Sequence, residues 1–165
     1  MIFRILSLLI ISSSVILAES FLLADKIIVK KSTRMLYLSS QGEIFNKYHI
    51  TLGKVPVGDK EVEGDMKTPE GGYHVDYRQF SADYYKSLHV SYPNESDKAH
   101  AKSLGQSPGG MIMIHGTPPS WSLSPYGDWM NILIDWTEGC IAMSNDDMDE
   151  VWEQTNNGTV VVILP

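Results

Sequence analysis

Two residues of this chain are candidates for nucleophilic chemistry: a histidine and a cysteine 25 positions apart. Cys140 is the only cysteine in 165 residues and sits in the run Asp135-Trp136-Thr137-Glu138-Gly139-Cys140-Ile141-Ala142. His115 opens the triplet His115-Gly116-Thr117, directly after the apolar run Gly109-Gly110-Met111-Ile112-Met113-Ile114. A thiol attacks carbonyl carbon as its thiolate, and a neighbouring imidazole can take its proton. Gly139 lets the backbone bend sharply and approach a substrate closely, so N–H groups at Gly139 and Cys140 can face a developing oxyanion. A lone cysteine is more often a small buried hydrophobe. The adjoining glycine and the histidine at a strand end weigh against that reading without removing it.

The elements that must hold these groups read mostly as strands. Lys26 to Lys31, Met35 to Leu38 and Ile44 to Leu52 carry apolar alternation, with a hairpin turn at Ser39–Gly42. Period-two spacing puts Ile44, Tyr48, Ile50 and Leu52 on one face and His49 on the other. Residues 53–72, rich in glycine, proline and charge, read as a long loop. Its Lys54, Lys60 and Lys67 could meet substrate carboxylates, but a solvated loop is the expectation. Tyr73 to Tyr77 alternates as a strand, Ser81 to Ser87 reads as a short helical turn, and Leu88 to Ser91 is strand-like. Ser96 to Leu104 is expected to be a helix capped by Asn94 or Ser96. Residues 116–127 form a proline-rich loop over the site, with Trp121, Tyr126, Trp129 and Trp136 as aromatic surface; Asp128 to Leu133 is a possible short helix. A helix with Met148, Val151 and Trp152 facing the core begins near Ser144, where its dipole can favour a thiolate, and Thr159 to Leu164 is a final covered strand. This is a mostly β, α+β chain of one domain's size. Its histidines lack metal-ligand spacing, and neither metal nor cofactor is expected.

Residues 1–20 have the form of a secretory signal peptide: a basic start at Arg4, an apolar run from Ile5 to Leu17 and the small-residue site Ala18-Glu19-Ser20. Export to the periplasm or beyond is the expectation. A single unpaired thiol kept in an oxidising compartment gains weight as a functional group. The formal net charge of −7 argues against nucleic-acid binding; the oligomeric state stays open.

His-Gly, a variable loop and Thr-x-Gly-Cys-Ile resemble the L,D-transpeptidase catalytic domain, the YkuD-type family. Gly64-Asp65-Met66-Lys67-Thr68-Pro69-Glu70-Gly71-Gly72-Tyr73 is similar to a further family segment. Leu88-His89-Val90-Ser91-Tyr92-Pro93-Asn94, with the residues around Cys140, resembles the YafK-like branch. The resemblance spans residues 25–165 and implies a β-sandwich-like fold with a few short helices. It implies an acyl transfer at diaminopimelate in peptidoglycan stem peptides through a thioester on Cys140. His115 would be the base and acid, the Gly116 carbonyl would orient it, and Gly139 would line the oxyanion hole. His89, Tyr92, Trp136, Thr137 and Glu138 would bind substrate. Many members carry histidine before Gly-Cys and arginine two residues after the cysteine; Glu138 and Ala142 stand there, implying another way of holding the substrate carboxylate or the catalytic loop. One alternative is an amidase cutting a diaminopimelate amide, such as a link to a wall-attached lipoprotein. Another is a non-catalytic peptidoglycan-binding module with Cys140 merely buried.

Overall fold

The computed structural model describes residues 22–123 and 133–165. The leader expected over residues 1–20, and all but the last residue of the helix expected over 128–133, lie outside the described residues. No helix among the described residues is long and apolar enough to cross a membrane.

Eight strands form the body: β1 (Lys26–Lys30), β2 (Met35–Ser40), β3 (Glu43–His49), β4 (Gly71–Ser81), β5 (Tyr85–Val90), β6 (Met113–His115), β7 (Ile141–Ala142) and β8 (Val160–Leu164). They are ordered β3-β2-β1-β8-β4-β5-β6-β7. The Val-Val-Val-Ile-Leu run of β8 lies mid-sheet, parallel to β1 and antiparallel to β4, which suits a strand without polar alternation. The sheet curls until its edges meet: Thr51, just past β3, exchanges backbone bonds with Ala142 of β7 at 2.8 and 2.9 Å. Between the two halves lies a core that includes Ile27, Leu36, Leu38, Ile50, Leu88, Ile114, Ile141 and Ile163, each 0–1% exposed.

The helices follow their caps. Asn94 caps α1 (Glu95–Ser103) in a reciprocal box with Asp97, and Ser144 caps α2 (Asn145–Glu153) by accepting from the Asp147 N–H. Met148 and Val151 turn inward, and Trp152 packs at the core's margin.

Two local expectations are corrected. Ile44 is 56% exposed, because the β2–β3 register shifts between Leu38 and Ser39 and a one-residue shift flips the face. Residues 81–87 are a hairpin rather than a helical turn: Ser81 Oγ accepts from the N–H groups of Asp83 and Tyr84, and β5 starts at once.

The segment from Gly53 to Glu70 contains no named strand or helix; Lys54 is exposed as expected of a solvated loop, but Lys60 and Thr68 are buried. Lys31, 2% exposed, donates to Gly58 O at 2.6 Å, Thr68 O at 2.9 Å and Glu70 Oε1 at 2.8 Å. Asp65 accepts from Lys60 Nζ and from the N–H groups of Glu61, Val62 and Lys67 at 2.8–3.1 Å. The Gly53 N–H donates to Thr68 Oγ1 at 3.0 Å. Such interior side-chain bonds replace the backbone ladder that the segment lacks.

Candidate active site

His115 ends β6, and β6 lies parallel to β7 with His115 opposite Ala142. Cys140 precedes Ala142 by two residues, so the side-chain period of two brings its thiol to the imidazole's face. Both line one cleft of about 640 Å³. His115 is 3% exposed, and its Nδ1 lies 2.6 Å from Gly116 O. A carbonyl only accepts, so Nδ1 carries the hydrogen and neutral His115 keeps a lone pair on Nε2. Burial, resisted only by the bond to Gly116, pushes the imidazole pKa down to about 4.

Burial also pushes the Cys140 thiol up; a Met113 backbone hydrogen bond and the charge of Lys60 pull it down, while Glu138 pushes it up further. Cys140 Sγ lies 3.5 Å from Met111 O. Burial therefore favours the neutral thiol and the neutral imidazole over a standing ion pair.

The turn before Cys140 is held by Thr137, whose hydroxyl donates to Cys140 O at 2.7 Å and accepts the Gly139 N–H at 3.1 Å. The Gly139 N–H, expected in the oxyanion hole, is thus engaged within its own turn. The residue must still be glycine: its φ is +136°, and a Cβ there would lie 2.7 Å from Lys67 O. Thr137 is bonded on both sides to the segment after β3, through Leu52 O at 3.2 Å and the Lys54 N–H at 3.0 Å. Arg34 grips the Asp135 carboxylate at 2.7–3.1 Å, and that carboxylate also accepts the Leu52 N–H.

Trp136, Thr137 and Glu138 line the cleft. The Trp136 ring meets His115 edge-on at 5.7 Å and Trp121 at 4.7 Å, and Tyr84 packs 4.7 Å from His115. His89 and Tyr92 are not among the lining residues. His89 Nδ1 lies 3.0 Å from Asp76 Oδ2, and its ring stacks on Tyr77 at 4.5 Å, because the β4–β5 register shifts between Val75 and Arg78 and carries these groups alongside it. Tyr92 is 3% exposed and its hydroxyl is spent on Pro108 O at 2.8 Å. Neither side chain therefore faces the cleft that His115 and Cys140 line.

Three lining groups escaped sequence reasoning in whole or in part. Tyr84 lay in a stretch with no site signal and the Met111 carbonyl has no side-chain signature; Lys60 was named with Lys54 and Lys67 as able to meet substrate carboxylates, but its burial was not foreseen. Met111 does show its position by strain, with φ +57° at the mouth of the site. No group of three or more His, Cys, Asp or Glu able to hold a metal occurs among the described residues.

The L,D-transpeptidase catalytic domain (YkuD) model matches residues 24–163, and the chain belongs to that family. Among curated proteins it is similar to YafK of Escherichia coli (strain K12), 31% identical over 118 residues, which are 70% of this chain and 39% of that protein. Among solved structures it is similar to the helical cell shape determining protein Pgp2 from Campylobacter jejuni, at TM-score 0.61 and 26% identity, covering 84% of this chain and 46% of that one. L,D-transpeptidase 1 of Mycobacterium tuberculosis shares the fold at TM-score 0.52 and 14% identity, over 84% of this chain and 60% of that one. The chain thus has the mostly β L,D-transpeptidase fold, and it spans less than half the length of YafK and Pgp2.

Proposed function

We propose that this protein is a peptidoglycan-directed cysteine acyl transferase of the cell envelope, acting on an amide at diaminopimelate in a stem peptide. The reading rests on one observation above all: one cleft is lined by both Cys140 and a histidine whose Nδ1 is engaged by the Gly116 carbonyl at 2.6 Å, which leaves Nε2 free to take a proton. Because the resting pair is neutral, His115 Nε2 takes the thiol proton as Sγ bonds to the amide carbon, which avoids a standing ion pair in a dry site. The oxyanion is met by the Cys140 N–H, since the Gly139 N–H is held by Thr137. The tetrahedral adduct collapses, the C–N bond breaks, and the leaving amine receives the proton from His115. An acceptor amine, on another stem or on a wall-attached protein, then attacks the thioester and returns a proton through His115 to Sγ. The exposed aromatic and glycine-lined mouth suits a peptide on a large polymer.

One further reading keeps the thioester and changes the acceptor to water, making the protein an amidase. It is favoured by Glu138, which is exposed in the cleft beside Cys140 and offers a carboxylate to orient water. Mass spectrometry of muropeptides and of lipoprotein-bearing wall incubated with the protein, beside a Cys140→Ala control, separates the outcomes. Cysteine-dependent crosslinks or amine-exchanged products support the transferase. Cysteine-dependent release without new bonds supports the amidase. Identical products with and without Cys140 refute both and leave a binding module.

A further inference from the structure

Two buried lysines hold the segment that walls the cleft, Lys31 from outside it and Lys60 from within, and they are not equivalent. An ammonium has three N–H donors. Lys31 fills all three, with Gly58 O, Thr68 O and Glu70 Oε1 at 2.6–2.9 Å, and does not line the cleft. Lys60, whose side chain is 4% exposed, has two partners, Asp65 Oδ1 at 2.8 Å and Val62 O at 3.1 Å, and it does line the cleft. One donor of a buried cation that lines the cleft is thus left without a partner among the described residues. Its carboxylate partner is shared: Asp65 also takes three backbone N–H groups, so its charge is divided among four donors. A buried cation with an unfilled donor is costly, and an anionic oxygen is the group that best completes it.

We propose that Lys60 forms a carboxylate-binding subsite for the peptide substrate, resting on the reading of the cleft as a stem-peptide site. Lys54 also lines this wall, and Gly64, Gly109 and Gly110 leave it free of side chains where a ligand backbone must pass. Glu63, Asp83 and Glu138 line the cleft too, so an anion is placed by Lys60 specifically and not by a general positive field. The charge of Lys60 acts favourably on a thiolate at Cys140, which puts the subsite within electrostatic reach of the reacting sulfur. Ala142, two residues after Cys140, is fully buried and brings no cation.

The test is calorimetric binding to full-length Cys140→Ala protein, which needs no turnover. The probes are a stem tetrapeptide with free carboxylates and versions with each carboxylate converted in turn to a carboxamide. One conversion should weaken binding about tenfold, the loss of one charge-assisted hydrogen bond. Adding Lys60→Met should abolish that difference, and adding Lys60→Arg should keep most of it. An equal penalty with and without Lys60, or no penalty in the parent, overturns the subsite while leaving the peptide reading intact. Failure of every peptide to bind overturns both. Should Lys60→Met fail to fold, the parent comparison and Lys60→Arg decide.

Discussion

The cleft has a floor and a wall built on different principles. The floor is β6 and the turn into β7, where backbone pairing fixes His115 opposite Ala142 and Thr137 closes the turn. The wall, residues 53–70, contains no named strand or helix; Lys31 holds it by reaching backbone carbonyls far along the chain, and Lys60 and Asp65 tie it together locally. The floor therefore fixes the two candidate reacting side chains by backbone pairing, the rigid mounting that catalysis requires. The wall presents fixed charges whose arrangement can vary without disturbing the chemistry. Reaction type should follow from the floor and substrate choice from the wall.

Substitutions that separate the two test this division. Cys140→Ala should abolish product formation, and His115→Ala should lower kcat/KM by about 10²–10⁴-fold with little change in thermal unfolding, measured on muropeptide turnover. Lys31→Met breaks the wall and leaves Glu70 and two carbonyls without their buried cation; it should cost ~3–5 kcal/mol in urea unfolding. An unchanged midpoint would show that the wall stands without it. Thr137→Val keeps shape but removes two bonds at the turn, and should cost ~1–3 kcal/mol while slowing acylation more than binding. An effect on KM alone would blur floor and wall.

The pH dependence of stability belongs to the floor. His115 has a folded pKa of about 4 against an ordinary value near 6.5, so the unfolded chain gains its proton first as pH falls. The stability due to the neutral ring is present above pH ~6.5 and is lost progressively toward pH ~4. Urea midpoints across this range should fall in the parent and fall less in His115→Gln. The smallest effect is expected for His89→Ala, under ~3-fold in turnover, because His89 meets Asp76 and Tyr77 outside the cleft.

The same division explains what the sequence revealed. His115, the Gly139-Cys140 turn, β1, β8 and both helix caps were legible because local patterns determine them: period-two burial, a glycine at positive φ, an Asx or Ser cap. Lys60 was not, because its burial depends on Asp65 and on a wall assembled by bonds to Lys31, and no periodicity records such contacts. His89 was misplaced by a register shift, and the Gly139 N–H by a hydroxyl two residues away. The upward push on the Cys140 pKa comes first from burial, which the folded sheet and not the local sequence produces.

The central claim is a thioester on Cys140, and rapid-quench intact-mass spectrometry with a stem tetrapeptide tests it most directly. The account predicts a transient mass increase equal to the peptide minus its leaving amine, located on Cys140 by digestion and absent in Cys140→Ala. Product formed by the Cys140→Ala protein, or turnover by the parent with no such adduct at any quench time, would contradict it.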